Sequence, residues 1–260
     1  MVCEEIMQIL EEQSPTALAC EWDNVGLLIG SPEKEVKKIY IAVDATEEVL
    51  DEAEQVGADM LLTHHPMIFT GIKHITSGDF MGKRIIKLVQ KDMAYYAMHT
   101  NFDVRGMGEL AGAIMGLKYD SVLSVTGEFN GKPVGIGRVG DLLTPMNLGQ
   151  CARFVREAFS LEQVKVFGDS GRMIMRAAIC PGSGKGFISA AEEAGAGVLI
   201  TGDIDHHVGL DAVEKGLCII DAGHYGLEHI FVSYMKNYLA SRCDGVEIVA
   251  QDLAFPFWVL

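Results

Sequence analysis

A repeated pattern constrains this chain more than any single motif. Ile41-Ala42-Val43-Asp44, a helical stretch, and Gly57-Ala58-Asp59-Met60-Leu61-Leu62-Thr63 match a second set. That set is Ala177-Ala178-Ile179-Cys180, a helical stretch, and Gly195-Ala196-Gly197-Val198-Leu199-Ile200-Thr201. Each copy then adds a helix, a strand, a polar strand end and another helix. Short apolar runs bounded by turn residues read as buried strands of a parallel sheet. Two copies of a β-α-β-α-β-α unit predict an α/β protein: two similar α/β domains from an internal duplication, with sheets flanked by helices. Two similar halves facing each other would enclose an inter-domain cleft. The expected domains are 1–123, completed by 235–260, and 124–234. Residues 122–139 break the pattern as a hairpin turning near Asn130-Gly131. Lys185–Ala194 and Leu227–Ala240 read as single helices.

Bulk properties narrow the function classes. Apolar residues make up 49% of the 260, enough for real cores, and charged residues 22%. With 36 acidic against 21 basic residues the net charge is -15. Such a surface repels phosphate backbones and argues against nucleic-acid partners. No apolar run approaches the roughly 20 residues needed to span a bilayer. Glu4 and Glu5 stand where a secretory leader would be basic. The expectation is a cytoplasmic protein with no membrane partner. Six scattered cysteines without a C-x-x-C pair fit buried thiols in a reducing compartment.

Six of the eight histidines fall at predicted strand ends, where open α/β sheets place their ligands. His64 and His65 end the run Leu61-Leu62-Thr63, before Pro66. Neighbours in a strand point to opposite faces, but a turn at the strand end lets both enter one cavity. His99 is followed four residues later by Asp103, and His224 by Glu228. In the second pair that spacing puts an imidazole and a carboxylate on one face if the chain from Gly226 onward is helical, whereas the first is a strand-end His with an Asp ahead of a helix. Each pair alone is compatible with a cap or a surface contact. Together they are nitrogen and oxygen donors without cysteine, more than one closed zinc site needs. They fit two divalent metal ions with a shared carboxylate. Mixed donors of this kind admit Zn, Mn, Fe, Co or Ni.

Other features stay open. Pro181-Gly182-Ser183-Gly184-Lys185-Gly186 is a strand-to-helix turn or an anion cradle, but not a P-loop, because Lys185 precedes Gly186. Asp203, His206 and His207 occupy the place of His64-His65 in the second half and read as supporting or substrate contacts rather than ligands. His74 and His229 read as structural or surface residues.

Five signatures occur in order: Trp22-Asp23-Asn24-Val25-Gly26-Leu27, Thr63-His64-His65-Pro66, His99-Thr100-Asn101-Phe102-Asp103, Thr201-Gly202-Asp203 with His207, and Gly223-His224 with Glu228. Over nearly the whole chain this resembles the GTP cyclohydrolase I type 2 homolog, or NIF-three-like, family, in its compact form without an inserted domain. The resemblance implies a dinuclear metal site in the inter-domain cleft, with ligands His64, His65, Asp103, His224 and Glu228, Glu228 bridging. It implies a toroidal homohexamer, and His99 near the metals without being a main ligand. Tyr225 stands where some relatives carry a second His, which puts a proton-transfer role at that position in doubt. The function implied is a metal-dependent hydrolase. A metal-bridging hydroxide would attack GTP, another nucleotide or a phosphoester, with His99 shuttling a proton. The alternative is a non-enzymatic metal-binding regulator or metallochaperone.

Overall fold

The computed structural model describes residues 1–258 and 260. In chain order its elements are α1 (Cys3–Gln13), β1 (Gly26–Ile29), β2 (Lys38–Ala42), α2 (Glu47–Gln55), β3 (Met60–Thr63), α3 (Phe80–Gln90), β4 (Ala94–Ala97), α4 (Thr100–Phe102) and α5 (Gly108–Ile114). Then come β5 (Lys118–Phe129), β6 (Lys132–Asn147), α6 (Leu148–Ala158), β7 (Lys165–Phe167), β8 (Met173–Ser183), α7 (Ile188–Glu193) and β9 (Val198–Gly202). The chain closes with α8 (His206–Glu214), β10 (Cys218–Asp221), α9 (His224–Glu228), α10 (Ile230–Ala240) and β11 (Glu247–Ala250). No helix among the described residues is long and apolar enough to cross a membrane.

The chain divides into two compact units, Met1–Phe102 with Phe231–Ala254, and Asp103–Ile230 with Phe255–Leu260. The first crossover falls at Phe102/Asp103 rather than at the expected 123/124. The reason is that Asp103–Met107 and α5 pack on β6 of the second unit.

The first unit holds a five-stranded sheet of order β1-β4-β3-β2-β11. β11, β2, β3 and β4 run parallel, and β1 is antiparallel to β4. All four residues of β3 are buried. On one face Tyr40, Leu61 and Tyr95 pack with Val49, Leu50 and Ala53 of α2 and Ile85 and Leu88 of α3. On the other, the Tyr96 hydroxyl reaches Glu11 of α1. Both covering helices start where a side chain caps them: Thr46 accepts from Val49 N–H and Asp79 from Gly82 N–H.

The second unit holds a six-stranded sheet of order β5-β6-β8-β9-β10-β7. Its β8, β9 and β10 run parallel, and β7 is antiparallel to β10. Strand for strand this repeats β2, β3, β4 and β1. The register agrees too: Met60 pairs with Ile39 and Ala94, and Val198 with Ala177 and Cys218. Ile39 is therefore the counterpart of Ala177, two residues before the match that the sequence indicated. A slip of two keeps every side chain on its face, so hydrophobic alternation cannot detect it.

Two helices differ from expectation. Leu227–Ala240 is not continuous: α9 ends at Glu228 and α10 starts at Ile230, with His229 bonded through Nε2 to the Phe159 carbonyl at 2.8 Å. Burial lowers the pKa of His229, and its bond to a backbone carbonyl fits the structural role expected of it. Lys185–Ala194 begins as a 3-10 turn, Lys185–Phe187, before α7.

Candidate metal centre

His64 and His65 follow β3 directly. The ladder to β2 continues for two residues, His64 N–H to the Ala42 carbonyl and His65 N–H to the Val43 carbonyl. The chain is then turned by side chains. Thr63 Oγ1 donates to the His65 carbonyl at 2.7 Å and the Tyr95 hydroxyl donates to it at 3.0 Å. The same Tyr95 oxygen accepts from Met67 N–H at 2.7 Å. Burial pushes the Tyr95 hydroxyl up to about 12, so it stays a neutral donor. Tyr95→Phe removes these two bonds and a third, to Thr63 Oγ1 at 2.9 Å, in a dry site. A chemical denaturation series is expected to show about 1–3 kcal/mol of lost stability; an unchanged midpoint would show that the turn does not need Tyr95.

The turn brings both imidazoles together with His99. Ring centroids are 4.9 Å apart for His64–His65, 5.4 Å for His64–His99 and 5.5 Å for His65–His99. One ring nitrogen from each lies within 4.8 Å of the others, so the trio could hold a metal ion. Each ring is oriented through Nδ1: His64 to the Met98 carbonyl at 2.7 Å, His65 to Asp44 at 2.8 Å and His99 to Asp23 at 2.9 Å. The Asp23 carboxylate also accepts from Thr100 N–H at 3.0 Å. Burial alone would raise the pKa of Asp23. The hydrogen bonds from His99 and Thr100, with the His99 charge, outweigh it and hold this carboxyl well below the usual range.

The second unit gathers the remaining predicted residues. His224 and Glu228 sit one turn apart on α9, with His224 Nε2 3.0 Å from Glu228 Oε2. His224 Nδ1 bonds to Asp203 at 2.8 Å. Asp203 was expected to be a supporting residue, and it reaches the ring from a positive φ of 59°. The Cys180 thiol is pushed up by burial first, and then by the negative charges of Asp103 and Glu228. Both carboxylates thus approach the same point at the end of β8. Gly182, part of the open strand-to-helix turn, is the bed for Glu228. A Cβ there would lie 2.4 Å from Glu228 Oε1 and 3.7 Å from His224 Nε2, and its φ is +76°. His206 and His207 are exposed at the start of α8, 5.1 Å apart, in neither set. His74 is exposed in a loop.

The donor set fits divalent metals. Nitrogen and carboxylate oxygen suit borderline and hard cations. An Nδ1–H given to a carbonyl or carboxylate fixes the tautomer that offers Nε2 as a lone-pair donor, and metal-binding histidines are held in this way. His64, His65, His99 and His224 all show it. For His224 this tautomer sets two lone-pair atoms, Nε2 and Glu228 Oε2, face to face at 3.0 Å, an arrangement that a shared cation relieves. Asp23 and Asp44, which orient the rings, had no role in the sequence reading; their signal was only a carboxylate near a strand end.

A profile of the family described as Duf34/NIF3 (NGG1p interacting factor 3) matches residues 1–254. A Clostridium perfringens protein named GTP cyclohydrolase 1 type 2 homolog is 34% identical, the match covering 99% of this chain and 99% of that protein. The crystal structure of a Bacillus cereus protein related to NIF3 superposes with a TM-score of 0.93 at 26% identity, over 100% of this chain and 99% of the other. Reduced HcgD from Methanocaldococcus jannaschii superposes with a TM-score of 0.83 at 29% identity, over 97% and 98%. The profile spans residues 1–254 and a 34% identical relative is matched over 99% of both chains, so the chain belongs to the Duf34/NIF3 family.

Proposed function

We propose that the chain is a dinuclear-metal-dependent hydrolase, with His64, His65, Asp103, His224 and Glu228 serving one pair of divalent ions and Glu228 bridging them. The observation that carries this reading is the shared Nδ1 orientation of the imidazoles, which leaves Nε2 as the donor on each ring. Bound there, two divalent ions would supply Lewis acidity and lower the pKa of water toward neutrality. His99 then moves the proton: Asp23 fixes its ring and stabilises it when charged. Trp22 and Phe69 flank His99 edge-on, at 5.9 and 5.6 Å between centroids. Relatives named GTP cyclohydrolase 1 type 2 homolog make GTP the first substrate to test, with other nucleotides and phosphoesters beside it. The resemblance also supports a homohexamer, read by light scattering as six times the 28.3 kDa chain.

The test begins with metal content. Elemental mass spectrometry of reconstituted protein is expected to give two ions per chain. Asp44→Asn and Asp203→Asn, which loosen His65 and His224, are each expected to weaken metal affinity about 10–100-fold with the fold intact. Substoichiometric metal in the wild type would end the proposal. Full metal content with no turnover across a nucleotide and phosphoester screen would leave the protein a metal-binding regulator or metallochaperone.

A further inference from the structure

The second unit contains a cavity of about 410 Å³ that the hydrolase reading does not use. It opens beyond Asp221 at the carboxyl end of β10, the position where open α/β sheets bind ligands. Its volume lies in the roughly 300–1,000 Å³ range of small-molecule sites.

The walls are apolar and largely aromatic: Leu161, Phe255, Phe257 and Trp258. Gly226 keeps one wall flat, since a Cβ there would come within 3.2 Å of Leu161 Cδ2. Phe255 is held by an edge contact with Tyr225, centroids 5.5 Å apart. Phe257 and Trp258 leave 59% and 76% of their surface exposed at the cavity. Large aromatic faces left in water beside a ligand-sized cavity are stacking platforms for a planar ring.

The polar groups decide what kind of ring. The buried Asp221 carboxylate accepts from Lys165 Nζ at 2.8 Å and from the N–H groups of Ile204 and Gly223. Lys165 also donates to the Ile204 carbonyl at 2.9 Å. Its charge is therefore neutralised and two of its three N–H bonds are used. Glu162 adds a further negative charge to the lining. One cation against two carboxylates does not attract a phosphate. The third Lys165 N–H, the Gln163 amide and the Glu162 carboxylate can instead read the donor and acceptor edge of an uncharged ring.

We propose that this cavity binds the neutral ring of a planar heteroaromatic compound of the nucleobase class, independently of any metal. The chain has two tryptophans, so Trp22→Phe leaves Trp258 as the only indole reporter. Full-length metal-stripped protein in this background is titrated with guanosine, adenosine and cytidine, and with GTP. At least one nucleoside is expected to quench Trp258 emission saturably, with the same midpoint after metal is restored. GTP is expected to bind no tighter than guanosine, and Phe257→Ala to weaken binding at least tenfold. The proposal is overturned by any of three results: no saturable quenching by the three nucleosides, tenfold tighter binding of GTP than guanosine, or no effect of Phe257→Ala. Because the titration needs no metal, it can succeed where the hydrolase reading fails, and the reverse.

Discussion

Gly182→Ala is expected to abolish tight metal binding while leaving the protein folded. The new Cβ would sit 2.4 Å from Glu228 Oε1. That oxygen is the tip of a flexible side chain, so the carboxylate moves and the backbone does not. If Glu228 holds metal as proposed, displacing its carboxylate is expected to weaken metal affinity about a hundredfold, read by competition with a chromophoric chelator. The alanine also adopts a positive φ, at a cost of about 1–2 kcal/mol. Two controls separate these effects. Gly131→Ala carries a φ of +74° with no heavy atom within 4 Å of the new Cβ, so it shows the backbone cost alone. Gly186→Ala, with neither feature, is expected to behave like wild type. If Gly182→Ala binds metal as Gly131→Ala does, Glu228 does not hold the metal.

Asp23→Asn has the second large effect, on stability rather than affinity. Its carboxylate is buried between the His99 ring and Thr100. Asn keeps the shape but not the charge, so the hydrogen bonds from His99 and Thr100 lose their charge-assisted strength, worth about 1.5–3 kcal/mol. The pH dependence follows from the direction of the shift. A carboxyl held below its unfolded value contributes stability that is complete above that value, about 3.9. The contribution is lost as pH falls through the lower folded value. The stability gap between wild type and Asp23→Asn is therefore expected to be full at pH 7 and to shrink below about pH 5. A gap that stays constant down to strongly acid pH would show that the Asp23 charge is not its source.

Much of this was legible because of how the residues are spaced. Four-residue strands such as Met60–Thr63 show as apolar runs, and the two histidines that follow show as a polar end. His224 and Glu228 were legible as an i, i+4 pair. What escaped was what periodicity cannot carry. A two-residue register slip preserves the faces, so the repeat was seen with its first strand misaligned. Past Ile179 the β8 ladder itself shifts, with Ser183 opposite Gly202, so the two units diverge where the site begins: Asp44 orients His65 in the first, and Gly182 makes room for Glu228 in the second. No composition rule distinguishes a glycine that bends a turn from one that clears space for a carboxylate. Asp23 and Asp44 escaped because their partners lie 76 and 21 residues away. The break at His229 depends on a bond to Phe159, which no local pattern encodes.

The pairing of β11 with β2 bears on how the protein is made. Ile248 stands opposite Ile39, so the first sheet is completed by a strand synthesised after every strand of the second unit. Loop-closure entropy grows only with the logarithm of length, so the finished protein gives up little stability for this arrangement. The delay matters more on the ribosome. Until β11 emerges, β2 is an open edge, and open edges recruit other nascent chains. Lys38, which in the finished fold reaches Glu247 of β11 at 3.0 Å, places a charge at the start of that edge while it waits.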